Sequence, residues 1–275
     1  MAKNLSYSGG APRELKHFIS EKAGISGKKA KALIDSRRVF VNNRRVWMAA
    51  HMLSPGDIVN IPEETAGAAA QQEYRIIYRD NDIIAADKPA GMLSDRDANS
   101  LEEKLKKSTG NQKLRAIHRL DRETSGIILY AASSGVFEAY KAMWEEKEVR
   151  KEYFAVSIGE AGFDEKRVSS PVDNKPAASD IKVISRGAGL TLFMVKIATG
   201  RKHQIRVHLA SIGHPVAGDT LYGPKNISGS LQGLSRHMLH AYRLKFKCPV
   251  TAKEMDLKAP MAGEMLETAK KAGFR

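Results

Sequence analysis

The 275-residue chain contains a single cysteine, Cys248, and no long apolar run. One thiol cannot form a disulfide within the chain, so a reducing cytoplasm is the expected location. No segment approaches the roughly 20 consecutive apolar residues that span a bilayer, and residues 1–14 lack the apolar core of a secretion signal. Glycine-rich loops that bind dinucleotides or phosphates are also missing. These absences argue against a membrane protein and against a nucleotide cofactor.

Acidic residues are scarce relative to basic ones. The sequence has 31 aspartates and glutamates against 45 lysines and arginines, which gives a formal net charge of +14 and a pI near 9.7. This charge favours a polyanionic partner, and nucleic acid is the leading candidate. The length accommodates about two domains at the usual size of roughly 150 residues each.

The first part of the chain predicts a small α/β domain over residues 12–62. Apolar residues recur twice at helical spacing, and short β-type segments follow around a turn-prone asparagine pair. Residues 63–73, rich in alanine without a periodic apolar face, are typical of a linker. The helical positions are Leu15, Phe18 and Ile19, then Ala30, Leu33 and Ile34, and the strand segments are 39–41, 46–48 and a run that ends at Ile61.

Residues 74–275 predict a second, larger domain. Strand-like segments recur with helical patterns between some of them, and several connections are tight. This mixture indicates an α+β fold with a mixed, largely antiparallel β-sheet and flanking helices, rather than a regularly alternating parallel fold. The predicted strands are 76–78, 83–86, 127–131, 153–158, 181–184 and 190–197.

Basic residues cluster on the second predicted helix and the hairpin that follows it, with Asp35 as the acid among them. Such a cluster is often only a solvated face, but its density here favours contact with RNA phosphates. The predicted RNA-binding members are Lys28, Lys29, Lys31, Arg37, Arg38, Arg44 and Arg45.

The stretch 118–126, His-Arg-Leu-Asp-Arg-Glu-Thr-Ser-Gly, places a carboxylate among basic side chains directly before the apolar run 127–130. Neighbouring guanidinium groups favour the ionised carboxylate, so Asp121 is a candidate to attack or stabilise a cationic centre. In an extended segment, Arg119 and Asp121 would lie on the same side. Two other interpretations stay open, a solvated surface pair with Arg122 or a carboxylate that caps a turn.

A second stretch of mixed chemistry, Thr-Gly-Arg-Lys-His-Gln-Ile-Arg-Val-His-Leu, occupies residues 199–209. Ile205, Leu209 and Ile212 have the spacing of one buried helical stripe, which gives Arg206 a different direction. The nearby histidines 203, 208 and 214 lack the i, i+4 spacing of a helical zinc pair, and no Cys-x-x-Cys accompanies them. We therefore expect no metal site. Taken alone, Arg206 fits an ordinary structural ion pair.

Together these stretches resemble the signatures of the RluA-type pseudouridine synthases. His-Arg-Leu-Asp-x-x-Thr-Ser-Gly matches the first signature. Thr-Gly-Arg-x-His-Gln-Ile-Arg-x-His-Leu, with the later pairs Gly218-Asp219 and Tyr222-Gly223, matches the second. Residues 151–156 are similar to the family's Lys-x-Tyr motif. The catalytic part of the resemblance spans about residues 74–262.

The resemblance implies an enzyme that isomerises specific uridines to pseudouridine in structured RNA. Asp121 would be the catalytic carboxylate, and Arg206 would hold it ionised through the two parallel hydrogen bonds that a planar guanidinium offers. Tyr153 would stack on the target base and take part in proton removal, although a packed strand tyrosine is the commoner fate of such a residue. Arg119 would fill the space that the uridine leaves. The reaction involves no redox change, so no cofactor is expected.

A further resemblance covers residues 12–62, whose order of elements is similar to the alpha-L RNA-binding fold named after a ribosomal small-subunit protein. Its departures are Gly27, where the family often has arginine, and Arg37, where it often has glycine. It implies RNA as the partner, with 23S ribosomal RNA favoured and transfer RNA as the alternative. A monomer is the simplest expectation.

Residues 87–91, Asp-Lys-Pro-Ala-Gly, resemble the first motif of the synthases, but the continuation Ser-Asp-Arg-Asp at 94–97 departs from the usual apolar, His or Pro ending. We expect this segment to support the fold and to form an RNA-contacting loop. Two other functions compete with isomerisation: a non-catalytic RNA-binding factor for ribosome assembly, and an N-glycosidase that releases the base.

Overall fold

The computed structural model describes residues 2–35, 39–42, 44–46, 48–62, 74–224, 234 and 236–274. These residues fall into two compact units, one within residues 2–62 and one within residues 74–274. The predicted linker 63–73 lies outside the described residues. None of the described helices combines the length and the apolar character needed to cross a membrane.

The amino-terminal unit packs two short helices against a small sheet. The predicted helices are confirmed, and they bury Leu15, Phe18, Ile19, Ala30 and Ile34. The unit begins before the predicted residue 12, because a strand at residues 2–6, which shows no apolar alternation, pairs antiparallel with residues 58–62. The helices are α1 (Leu15–Ala23) and α2 (Gly27–Asp35), and the strands are β1 (Ala2–Ser6), β2 (Arg13–Glu14), β3 (Val39–Val41), β4 (Arg44–Val46), β5 (Met52–Leu53) and β6 (Ile58–Pro62).

The larger unit is built on one mixed sheet with flanking helices, and the predicted α+β class is confirmed. Its strands are β7 (Arg75–Arg79), β8 (Ile83–Lys88), β9 (Arg115–Ala116), β10 (Ser125–Ala131), β11 (Arg150–Ile158), β12 (Glu165–Val168), β13 (Ser179–Gly187), β14 (Leu190–Ile197), β15 (Leu239–Lys247) and β16 (Glu254–Lys258). Its helices are α3 (Leu101–Thr109), α4 (Ser134–Glu145), α5 (Gln204–Ser211) and α6 (Gly263–Lys271).

The main path of this sheet runs β12-β13-β14-β11-β15-β10-β8-β7, with β16 added beside β15 and β9 beside β10. The pairing of β10 with β15 is parallel, and the other pairings recorded in this sheet are antiparallel. All six strands predicted for this domain are present. The mixed, largely antiparallel sheet predicted from the sequence is therefore correct.

Strand β10 lies in the middle of the unit and is buried on both faces. Ile128 and Tyr130 belong to the core on one side of the sheet, and Ile127 and Leu129 belong to the core on the other. This double burial explains why the run after the first signature is continuously apolar. The strand thus gives a rigid base to the loop that precedes it.

Gly126, the last residue of the first signature, has a φ of 113°. A Cβ atom at this position would lie 2.2 Å from the carbonyl oxygen of Ala241 on β15. The parallel contact between β10 and β15 starts here, with Ser125 opposite His240. A glycine is therefore required where the loop enters the sheet.

Candidate active site

Asp121 lies in the loop that connects β9 to β10. Residues 117–124 form no strand, so β-strand alternation does not set the position of Arg119 relative to Asp121. Instead the chain turns, and the N–H of Thr124 donates to the carbonyl oxygen of Asp121 at 3.0 Å. The Asp121 side chain keeps 31% of its surface exposed. A substrate group can therefore reach the carboxylate.

Buried Lys88 holds this loop in place through hydrogen bonds to main-chain carbonyl groups. Its ammonium group donates to the carbonyl oxygens of Met92 at 2.8 Å, Pro89 at 3.0 Å and Arg122 at 3.1 Å. The N–H of Gly91 donates to the same Arg122 oxygen at 2.7 Å. Burial lowers the pKa of Lys88 to about 7. Residues 88–91 thus fix the main chain directly after Asp121.

Arg206 projects from the first turn of α5 and is almost completely buried. Its Nη1 donates to Asp121 Oδ2 at 3.2 Å. Its Nε and Nη2 donate to the two carboxylate oxygens of Asp219 at 2.6 and 2.8 Å. The two-pronged hydrogen bond expected for Asp121 is therefore made to Asp219, and Asp121 accepts one hydrogen bond from the remaining nitrogen, Nη1.

Burial and pairing act in opposite directions on the charges of Arg206 and Asp219. Burial alone would lower the pKa of Arg206, but the hydrogen bonds and charge of Asp219 outweigh it and raise that pKa. Burial would raise the pKa of Asp219, but Arg206 and the N–H of Leu221 lower it below the usual range. Both groups therefore stay charged, and the guanidinium is fixed in position.

His203 approaches Asp121 from the start of α5. Its Nε2 lies 3.7 Å from Asp121 Oδ2, and its Nδ1 lies 3.0 Å from the hydroxyl of Tyr222. Burial lowers the pKa of His203, and the charge of Asp121 opposes that effect in part. Because the net shift is downward, the imidazole is neutral at pH 7.

The other two histidines near the second signature are held elsewhere. His208 contacts the hydroxyl of Ser179 at 2.8 Å and the carbonyl oxygen of Ser170 at 2.9 Å. His214 contacts the carbonyl oxygen of Ile158 at 3.1 Å. Each of these side chains thus has a structural partner.

Tyr153 lies on β11 at the wall of a cavity of about 780 Å³. The side chain is mostly buried, with 9% of the residue exposed. Burial raises its pKa well above the ordinary tyrosine value, and the charge of Asp121 adds to this effect. The phenol is therefore protonated at neutral pH. The lining also includes Asp95, Asp97, Glu102, Glu103, His118, Arg119, Trp144 and Lys151, whereas Asp121 is not part of it.

Arg119 also lines this cavity, but its side chain points to a partner that the sequence does not reveal. Its Nε lies 3.0 Å from Asp95 Oδ1, and 57% of the side chain is exposed.

In the amino-terminal unit, α2 carries exposed Lys28, Lys29 and Lys31, called here the α2 lysines. Arg37 and Arg38 lie outside the described residues, as do the side chains of Arg44 and Arg45 on β4.

Sequence reasoning assigned no role to Asp219, His203 or Tyr222, although all three stand within the second signature or directly after it. A buried guanidinium needs more than one acceptor. If Arg206 is buried, a second carboxylate is therefore expected beside it, and this requirement could have identified Asp219.

Residues 82–211 match the family described as RNA pseudouridylate synthase. Over 267 residues the chain is 33% identical to the ribosomal large subunit pseudouridine synthase C of Vibrio vulnificus (strain CMCP6), and the match covers 86% of this chain and 84% of the relative. The chain belongs to the RluA-type RNA pseudouridine synthase family. The enzyme class and the uridine isomerisation predicted from the sequence are confirmed by this membership.

Other comparisons agree with the assignment to the synthase family. The protein of Escherichia coli (strain K12) named ribosomal large subunit pseudouridine synthase C is 30% identical over 288 residues, which cover 91% of this chain and 90% of the relative. The solved structure titled Human RNA Pseudouridylate Synthase Domain Containing 4 superimposes with a TM-score of 0.62. At 22% identity, over 72% of this chain and 92% of that chain, it shows that the two proteins share a fold.

Proposed function

We propose that this synthase modifies uridines in large-subunit ribosomal RNA and that Asp121 is the group that acts at the sugar. The observation that carries the assignment is the sharing of Arg206 between two carboxylates. Asp219 holds the guanidinium with two hydrogen bonds, and the partly exposed Asp121 takes one at 3.2 Å. An ionised carboxylate, aimed by a fixed arginine and open on one side, is what a reaction at a sugar carbon requires.

The reaction moves a bond without gain or loss of atoms. The bond from the sugar carbon C1′ to N1 of uracil breaks, the detached base turns, and a new bond forms between C1′ and C5. The proton displaced from C5 must leave, and N1 gains a proton. Asp121 either attacks C1′ and forms an ester that breaks when C5 bonds to C1′, or takes a proton from C2′ as the base departs and returns it when the C1′–C5 bond forms; the same carboxylate serves both routes.

Tyr153 is proposed to pack against the uracil ring and to orient the proton transfer from C5. Because its pKa is raised by burial and by Asp121, it acts as a neutral phenol that donates or accepts a hydrogen bond. Its position on the cavity wall supports this role. A phenolate base is disfavoured by the same two effects.

RNA contact is proposed for Arg119 and for the α2 lysines. A uridine in a helix must leave its stack at a cost of a few kcal/mol, which contacts to the protein offset. Arg119 carries an exposed guanidinium two residues before Asp121, so it can enter the space that the base leaves. Residues 12–62 are proposed to be an alpha-L RNA-binding domain, with Arg37, Arg38, Arg44 and Arg45 among its phosphate contacts.

Ribosomal RNA is the proposed substrate because the curated relatives bear the name ribosomal large subunit pseudouridine synthase. That substrate fits a cytoplasmic location. The test is to map pseudouridines by chemical labelling in RNA from cells with and without this gene. Loss of one or more sites in 23S RNA is the expected result, and loss confined to transfer RNA would contradict the choice of substrate.

Mass spectrometry of RNA treated with the purified enzyme separates isomerisation from base removal. Pseudouridine leaves the mass of the RNA unchanged, whereas an N-glycosidase releases uracil and lowers the mass. Unchanged mass with new label-reactive sites is expected. Free uracil in equal amount to the modified sites would refute the proposal.

A further inference from the structure

The segment that departs from the family's first motif is held firmly against the Asp121 loop. Ser94 is buried, and its hydroxyl lies 3.1 Å from both the N–H and the carbonyl oxygen of Leu120. The hydroxyl of Tyr130 donates to the Ser94 carbonyl oxygen at 3.0 Å. These contacts fix the main chain at Ser94, so the next residue, Asp95, has a defined position next to Arg119.

Asp95 uses that position to contact the Arg119 side chain. Its Oδ1 lies 3.0 Å from Arg119 Nε, without the alignment of a hydrogen bond, so the contact is electrostatic. The carboxylate is largely shielded, with 14% of its side chain exposed, while Arg119 is 57% exposed.

The other ion pair recorded for Asp95 is with Arg96, whose Nε lies 3.4 Å from Oδ2 and whose side chain is 78% exposed. Within the described part of the chain, Asp95 forms ion pairs with two exposed arginines, while the hydroxyl of Ser94 binds the loop to Leu120. Loss of the Asp95 charge should therefore leave the loop folded.

A carboxylate at the edge of an RNA-binding cavity repels phosphates and weakens binding. Such a carboxylate is useful at that edge if it holds a positively charged side chain in the position where that side chain must act. An arginine side chain loses much rotational freedom when it is immobilised, and ordering it before RNA binds reduces that loss at the reaction step.

We propose that Asp95 is a positioning residue that holds the Arg119 guanidinium at the cavity edge, so that the arginine is already placed when the target uridine leaves its stack. This inference rests on the proposed contact of Arg119 with RNA. Asp95 itself touches no reacting atom. It acts through Arg119, and its effect should therefore depend on that arginine.

The test compares Asp95→Asn with the full-length wild type in single-turnover pseudouridine formation at saturating RNA. The substrates are two RNAs with the same local sequence, one with the target uridine paired in a stem and one with it unpaired. On the paired RNA the variant should be slower by roughly tenfold, while the RNA dissociation constant stays within about threefold or becomes tighter. On the unpaired RNA the rate should change by less than about threefold.

Coupling to Arg119 separates positioning from a structural role. Arg119→Ala and the double variant should have rates within about twofold of each other, because Asp95 then has no guanidinium to hold. Asp164→Asn is the matched control, since it removes the same charge from an exposed ion pair with Arg186 at 2.7 Å. It should be as fast as the wild type on both RNAs.

Three results would overturn the inference: equal or faster turnover of Asp95→Asn on paired RNA, equal slowing on both RNAs, or a further slowing in the Arg119→Ala background. Any of them with an active wild type would refute the role of Asp95 and leave the proposed function intact. A wild type that forms no pseudouridine in ribosomal RNA would refute both.

Discussion

Arg206→Lys is the substitution that most directly tests how the site aims its carboxylate. Lysine keeps the positive charge but replaces a planar fork of donors with one compact ammonium group. Arg206 makes two hydrogen bonds to Asp219 and one to Asp121. A single ammonium cannot reproduce all three directions, so the variant separates geometry from charge.

The magnitude follows from these contacts. Each hydrogen bond between charged groups contributes about 1.5–3 kcal/mol. Loss of the Asp121 contact alone should therefore slow turnover by between tenfold and somewhat over a hundredfold, at 1.36 kcal/mol for each factor of ten. Loss of the paired hydrogen bonds to fully buried Asp219 should also lower the free energy of unfolding by about 2–3 kcal/mol. This loss corresponds to a decrease in Tm of roughly 5–10 °C.

The assay is release of tritium from carbon-five-labelled uridine in ribosomal RNA under single-turnover conditions, with RNA affinity measured in parallel. Affinity should change by less than about threefold, because Arg206 is buried and its charge is kept. Arg186→Lys is the control, since Arg186 also bonds several acceptors, including Asp164. It should lose stability without loss of rate. Turnover of Arg206→Lys within threefold of the wild type would refute the aiming role.

Four other outcomes are expected. Gly126→Ala should cost roughly 3 kcal/mol or more, measured by denaturant unfolding, because its Cβ would meet the Ala241 carbonyl oxygen at 2.2 Å with φ at 113°; a loss below about 1 kcal/mol would contradict the required close approach. The pH profile of turnover should show no ionisation of Tyr153 below about pH 10, because burial and then Asp121 raise its pKa. A rise in the turnover rate near pH 9 that is missing in Tyr153→Phe would count against the neutral phenol. Burial lowers the pKa of His118 to about 3 in the folded state, so its stabilising contribution is present above about pH 6.5 and is lost as the pH falls toward 3. His118→Gln should therefore reduce the slope of the free energy of unfolding against pH in this range by up to about 1.4 kcal/mol per pH unit. Identical slopes in the wild type and the variant would show that His118 is not the group responsible. Replacement of the α2 lysines by alanine should weaken RNA binding and reduce the salt dependence, the slope of log K against log salt, by about two to three, whereas an unchanged slope would remove this helix from the interface.

The fold was largely predictable because its strongest signals are local. The continuous apolar run at 127–131 and the largely apolar, strand-like runs at 153–158 and 190–197 form strands as predicted. Strand β1 was missed because Ala-Lys-Asn-Leu-Ser carries no alternation, and its pairing with β6 depends on residues far away in the chain.

The site was predictable only where the family signatures contain both partners of an interaction. The resemblance to the synthase signatures implies a pairing of Asp121 with Arg206, and the two side chains are in contact at 3.2 Å. The division of Arg206 between two carboxylates depends on burial of Asp219, which no spacing reveals. In the same way, Asp95 is next to Arg119 only because Ser94 is fastened to Leu120.

The carboxylate of Asp121 is proposed to perform the chemistry and to contribute little to RNA affinity. Asp121→Asn keeps nearly the same shape and removes the charge. Tritium release from carbon-five-labelled uridine should fall to background, while RNA affinity stays within about tenfold, or roughly 1.4 kcal/mol. Release at the wild-type rate by this variant would contradict the account.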